Sequence, residues 1–284
     1  MSLPRLAVRR TIGRLQPGYR GDAPWAVATV ARLRREAGRD AHLSPTGWGL
    51  EHLETLADLR EERQATDAEE RGGRSPDMAN FSSSAYMKRE REEGREDTAV
   101  HLAVTLWALH QQSLREESMH VTGWPLGRAV RRLAHGKSGT RDNPGKEGAS
   151  PGTPDGGTSS SAAGSRESTT GKPPAGERVE DASETVRRRF VRIGGSSDTE
   201  ILATRLREMV LLLRSARIPL DYESLVDQLV RWQDENRRDT VRREWGRDFH
   251  RWYGSTVRRE NEEGDQPDAS APPLPDLDTE DVGE

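Results

Sequence analysis

Residues 185–253 decide the fold. They open TVRRRFVRIGG (185–195), continue SSDTEILATRLREMVLLLRSARIPLDYESLVDQLVRW (196–232) and close RRDTVRREWGRDFHRWY (237–253). Leu202, Leu206, Met209, Val210 and Leu213 recur at helical spacing, as do Tyr222, Leu225, Val226, Leu229 and Trp232. Val241, Trp245, Phe249 and Trp252 form a third stripe at steps of four, four and three. Ser197 and Glu200 stand at capping-box spacing, and Pro219 with Asp221 restarts the chain. Arginines crowd the remaining positions. No alternation of β-branched residues suggests a sheet, so the chain reads as all-α.

Upstream, Asp22 and Pro24 open a helix whose apolar side is Trp25, Val27, Val30 and Leu33. Trp48, Leu50, Leu53 and Leu56 suggest a second. AVHLAVTLWAL (99–109) is apolar nearly all round, the mark of a central buried helix. Trp124 and Pro125 introduce a short one carrying Leu126, Ala129, Val130 and Leu133. Residues 60–96 are dominated by charge, Gly and Ser, and read as a charged helix end plus a mobile excursion with Met78, Phe81 and Tyr86 docking. Residues 136–183 are Gly, Ser, Thr, Pro and charge, with Val179 as the one sizeable aliphatic. Such a segment buries too little apolar surface to offset its ordering entropy and is expected to be a disordered linker.

The expected organisation is an N-terminal extension (1–21), an N-terminal helical block (22–135), the linker (136–183), a C-terminal helical bundle (184–255) and an acidic disordered tail (256–284). The fold class is thus two helical-bundle blocks joined by a long disordered linker. With 32% of residues charged and only 5% aromatic, the 284-residue chain is too polar to be compact throughout. Ten acids and no Lys or Arg follow from Glu260 onward, so the net −4 of the whole chain becomes +6 over residues 1–259. That tail serves solubility, or competes with a polyanion for the basic body.

The function classes narrow by exclusion. The chain has no cysteine, hence no disulfide, zinc ribbon or thiol nucleophile. The seven histidines never fall at the spacing of a zinc-protease helix. Gly136-Lys137-Ser138 mimics the end of a phosphate-binding loop, but Arg131 stands where that motif needs glycine. No apolar run approaches membrane-spanning length, and MSLPRLAVRRTIGRLQ (1–16) has no secretory h-region. The expectation is a cytoplasmic protein that is not an enzyme, with no catalytic residues, metal, cofactor, membrane or small-molecule substrate.

Arginine placement is the positive signal. Arg32, Arg34 and Arg35 cluster on one helix, Arg128, Arg131 and Arg132 on another, and Arg187, Arg188, Arg189 and Arg192 fall within six positions. Arg207 and Arg214 share a side of their helix, and Arg237, Arg238, Arg242 and Arg243 decorate the last. Guanidinium forks onto phosphate oxygens, so the pattern suits backbone contact without base reading. Each cluster taken singly reads equally as a solvated face paired to Glu and Asp.

GWPLGRAVRRLA (123–134), TVRRRFVRI (185–193), LATRLREMVLLLRS (202–215), IPLDYESLVDQLVRW (218–232) and RREWGRDFHRWY (242–253) together resemble the CasB family, the small subunit of the type I-E CRISPR surveillance complex Cascade. WAVATVARLRREAGRD (25–40) fits the family's first helix. The resemblance implies an all-helical, non-enzymatic subunit, present twice beside other Cascade subunits. It implies binding of guide RNA and target DNA with little sequence preference, steadying their hybrid and the displaced strand. It also implies nucleic-acid-binding roles for Arg34, Arg35, Arg128, Arg188, Arg189 and Arg192, with Arg95 and Arg238 as further candidates. The alternative reading is a free-standing DNA-binding regulator in which residues 225–252 form a helix-turn-helix. Against it, the second of those helices lacks the Asn, Gln, Ser and Thr usual for base edges.

Overall fold

The structure is a computed structural model and describes residues 1–39, 51–70, 83–140 and 182–251. Among them the chain forms helices α1 (Leu3–Arg20), α2 (Pro24–Arg35), α3 (Glu51–Glu70), α4 (Ser83–Gln111), α5 (Leu126–Ala134), α6 (Glu184–Gly194), α7 (Thr199–Ser215), α8 (Tyr222–Trp232) and α9 (Glu235–His250). No strand occurs among the described residues; an isolated bridge joins His120 to Leu220.

α4 is the axis. Its second half buries Val100, Ala103, Val104, Leu106 and Trp107 completely, and α1, α2, α3, α7 and α8 pack around it. A helix apolar on every side must be enclosed by others, which is why the sequence marks it as central. Because α7 and α8 pack on α4, the two predicted blocks share one continuous core.

Residues 1–21, set apart by sequence as an extension, are a core helix instead. Ser2 caps α1 by accepting from Arg5 N at 3.3 Å, and Ala7, Val8, Ile12 and Leu15 are buried. The stripe is easy to miss because Arg5, Arg9, Arg10 and Arg14 interrupt it. Two of these clasp α8: Arg9 donates to the buried Glu223 at 2.7 Å, and Arg5 reaches Glu223 and Asp227. Arg10 pairs with Glu62 and Arg14 with Glu51 on α3.

Several local expectations shift. Asp198, not Ser197, caps α7 and accepts from Ile201 N at 2.8 Å, while Ser197 Oγ donates to Asp198. Asp22 does not cap α2; it sits at φ 57° and pairs with Arg115. Trp25 is 48% exposed, and Ala26, Thr29, Val30 and Leu33 form the buried side of α2. Much of the excursion expected over 60–96 is helical. Residues 60–70 prolong α3 and 83–96 begin α4, tied by Arg60 to Glu96 and Asp97 at 2.8 Å each. Tyr86 does not dock but points to solvent, whereas Met78 and Phe81 lie outside the described residues.

Most of the predicted linker (141–181), residues 252–255 of the predicted bundle and the acidic tail also lie outside them. The described ends of the linker are bonded to helices: Gly139 N donates to Ala216 O at 2.9 Å and Ser183 N to Ala134 O at 2.7 Å. The second bond starts α6 beside the end of α5.

Candidate nucleic-acid interface

Eight arginines are predicted to meet nucleic acid, and the structure gathers them in four places. Arg188, Arg189 and Arg192 occupy exposed positions of α6. This helix keeps one fully buried residue, Ile193, and leans on α9 through Phe190, whose ring stacks on Phe249 at 5.3 Å between centroids. One apolar side facing the bundle forces the arginines outward. Arg188 is partly engaged, donating to Glu184 one turn back at 2.8 Å. That bond, with Arg187 adding to it, holds the Glu184 carboxyl below its ordinary range.

Arg238 and the end of α6 at Arg192 form a second group around the turn between α6 and α7, with Arg95 one turn of α9 away. Arg238 lies over the Trp232 ring at 4.3 Å and donates to Ser197 O at 3.0 Å. Arg95 pairs with Asp234, the N-cap of α9, at 3.7 Å. Two arginines outside the predicted set complete the group. Arg205 donates to Arg192 O and to Ser196 Oγ, and Arg242 donates to Ser196 O at 3.4 Å. These carbonyls lie at the C-terminal end of α6, where cations are favoured by the helix dipole. Sequence periodicity places Arg205 on α7 but carries no hint that its partner is the end of another helix.

Arg34 and Arg35 lie in the last turn of α2, half-buried and exposed respectively, with no carboxylate partner among the described residues. Gly38 follows at φ +87°, where a side chain would be strained, and lies against Arg207 of α7. The exposed Arg207, grouped by sequence with Arg214, thus lies beside the turn that follows this pair. Arg128 stands apart. Its guanidinium covers the Trp124 ring at 4.0 Å and donates to Gly123 O at 2.9 Å. Arg131, its neighbour in sequence, is buried and donates to Phe249 O at 2.9 Å, so it is a packing residue.

The described residues gather no three His, Asp or Glu side chains into a metal site. None of their helices is long and apolar enough to cross a membrane. The histidines drawn into the interior meet each other or a phenol: His52 Nε2 lies 3.0 Å from His101 Nδ1, and His110 Nδ1 lies 2.9 Å from Tyr222 Oη.

Fold and surface define an all-helical protein built around one buried helix, with arginine clusters displayed at helix ends and on outer faces. A family model described as CRISPR-associated protein Cse2 matches residues 29–250. The chain belongs to that family. It is similar to CasB from Thermobifida fusca, known as a crystal structure, with 31% identity over 88% of this chain and 99% of that one and a TM-score of 0.56. It is also similar to a Cse2-family CRISPR-associated protein from Thermus thermophilus at 19% identity, covering 88% of this chain and 99% of that one with a TM-score of 0.47. For CasB from Thermus thermophilus the identity is 18%, with the same coverage and a TM-score of 0.45. No curated protein matches the chain.

Proposed function

We propose that the protein is the non-catalytic small subunit of a type I-E CRISPR RNA-guided surveillance complex, Cascade. In this reading it works in the cytoplasm beside other Cascade subunits and a second copy of itself. It grips nucleic-acid backbone without reading bases, and so steadies the hybrid of guide RNA and target DNA and the displaced strand. The supporting observation is the exposure of Arg188, Arg189 and Arg192 on α6 and of Arg35, beside the half-buried Arg34, at the end of α2. Five guanidiniums on rigid helices suit a regular array of phosphates, because the fork accepts two oxygens and needs little ordering on binding.

The mechanism is energetic rather than chemical. An RNA–DNA hybrid is about as stable as the duplex it replaces, so modest backbone contacts tip the exchange. Arg95 and Arg238 contribute through donors left over from their structural bonds, since a guanidinium has five N–H groups, and Arg128 adds positive charge.

Two measurements test the reading. Isolation of the tagged chain from its native host at moderate salt should bring down a short guide-like RNA and further protein subunits; a lone protein would overturn the Cascade assignment. Binding to unrelated single-stranded DNA sequences should weaken alike in R34A/R35A/R188A/R189A. The log–log salt slope should become shallower by about 0.7 for each phosphate the variant no longer neutralises. A footprint on one defined palindrome would favour the regulator instead.

A further inference from the structure

Beside the arginine face of α6 lies a groove between α6 and α9 of about 740 Å³. Its depth is apolar, with Phe190, Trp245 and Phe249 among its lining, and Val191 stands at its mouth. Val191 is 68% exposed, the most exposed aliphatic residue on a helix otherwise given to arginine and core contacts. Around it stand Arg187, Arg188, Arg192 and Arg242, against the carboxylates of Glu184 and Asp239 that pair with three of them. The surround is therefore net cationic while the groove itself is greasy.

The two properties point to different parts of one ligand. Phosphate backbone satisfies the guanidiniums but has nothing for Val191. A nucleobase would need an open ring face to stack on, and Trp245 and Phe249 are 2% and 4% exposed. Phe190 is partly exposed, but its ring already stacks on Phe249. What remains accessible is Val191 with part of Phe190, an apolar surface between two helices that accepts apolar side chains at helical spacing. We propose that the α6–α9 groove is a docking site for an acidic amphipathic segment of a partner protein. An aliphatic anchor of that segment packs on Val191 and its carboxylates meet Arg192 and Arg242. Charge complementarity selects the segment and the apolar contact holds it. This occupant is independent of the nucleic-acid reading, although Arg188 and Arg192 border both surfaces.

The test uses the full-length protein and a short fluorescein-labelled helical peptide with leucine at i, i+3, i+4 and i+7 and glutamate elsewhere. Fluorescence anisotropy should show saturable binding. Val191→Asp and Val191→Lys should each weaken it about tenfold, as expected for removal of a central anchor. The leucine-to-alanine peptide should bind comparably weakly, and R34A/R35A should leave peptide binding unchanged. Because Val191 is exposed, both Val191 variants should melt as the wild type does, which separates a failure to dock from a failure to fold.

Peptide binding insensitive to Val191, or equal binding of the alanine peptide, would overturn the site. So would a Val191→Asp variant that loses single-stranded DNA as strongly as peptide, which would hand the groove to nucleic acid. Self-association of the wild type abolished by Val191→Asp would assign it to a second copy instead. Arg34 and Arg35 lie outside the groove, so the salt slope of R34A/R35A alone tests the nucleic-acid reading apart from Arg188, and the two readings fail separately.

Discussion

A Cβ on Gly127 would fall 2.5 Å from the backbone nitrogen of Phe249 and closer still to the Trp245 carbonyl oxygen. Helices α5 and α9 therefore touch backbone to backbone, and only a hydrogen fits between them. Neither partner is the movable end of a side chain, so the helices themselves must part to admit a methyl group. Gly127→Ala should cost about 3 kcal/mol, the upper end of ordinary overpacking. For a domain of this size that is a fall of about 6–12 °C in melting temperature. An unchanged melting curve by circular dichroism would contradict the close approach.

Arg238 and Arg34 should separate structure from binding. Arg238 is stacked on Trp232 and bonded to Ser197 O, whereas Arg34 has no carboxylate partner among the described residues. Arg238→Ala should lose about 1–2 kcal/mol of stability. Arg34→Ala should stay within about 0.5 kcal/mol of wild type while still weakening DNA binding. Chemical denaturation of the two variants beside a binding curve checks both halves.

Asp221 is buried and caps α8 by accepting from Ser224 N at 3.0 Å, and it also accepts from Gly123 N at 2.9 Å. One carboxylate thus fixes a helix start and the loop leading into α5. Asp221→Ala should cost about 2 kcal/mol, more than an exposed cap, because two backbone donors lose one buried acceptor. Asp221→Asn should recover part of the loss, since its amide oxygen still accepts. Equal losses for both substitutions in urea unfolding would argue against the double cap.

Acid should unfold the protein through its interior histidines. Burial first, and the neighbouring His101 second, lower the His52 pKa to about 3; burial chiefly, with Arg214 also acting to lower it, brings His110 to about 3. Both folded values lie below the ordinary 6.5, so the unfolded chain takes up protons that the folded one refuses. Stability is full above about pH 6.5 and falls as pH drops toward 3, by up to about 1.4 kcal/mol per pH unit for each histidine. His52→Leu should flatten that acid limb by about one histidine's share. An acid limb identical in slope to wild type would mean that His52 is already charged in the fold.

Periodicity carried the sequence reading where helices bury a clean stripe. α4, α7 and α8 came out with the right buried residues because Leu, Val and Trp recur there without interruption. α1 did not, since arginines break its stripe and their partners Glu223 and Asp227 stand far along the chain. The caps of α2 and α7 missed for a smaller reason: Ser197 and Asp198 are adjacent and both competent, and Asp22 is drawn off to Arg115. At the candidate interface, composition and the CasB resemblance pointed to arginines but could not sort them. Whether an arginine is spent on a carbonyl depends on which helix end lies beside it, as Ser197 O does for Arg238. Gly127 gave no signal, for close approach is a property of two helices rather than of one residue.

The seat of α1 also bears on how the chain comes to fold as it is made. Its capping residue Ser2 bonds Asp227 of α8, 225 positions downstream, and Arg5 and Arg9 meet Glu223 one turn earlier. Helices α2, α3 and α4 cover α1 from nearby in the chain, and α8 closes its remaining side from far along it. Until α8 has joined, Ala7, Val8, Ile12 and Leu15 lack part of their shelter, an apolar surface that waits on a distant partner. The core therefore closes across one of the chain's long sequence separations, and any stretch made without α8 leaves α1 with one face open.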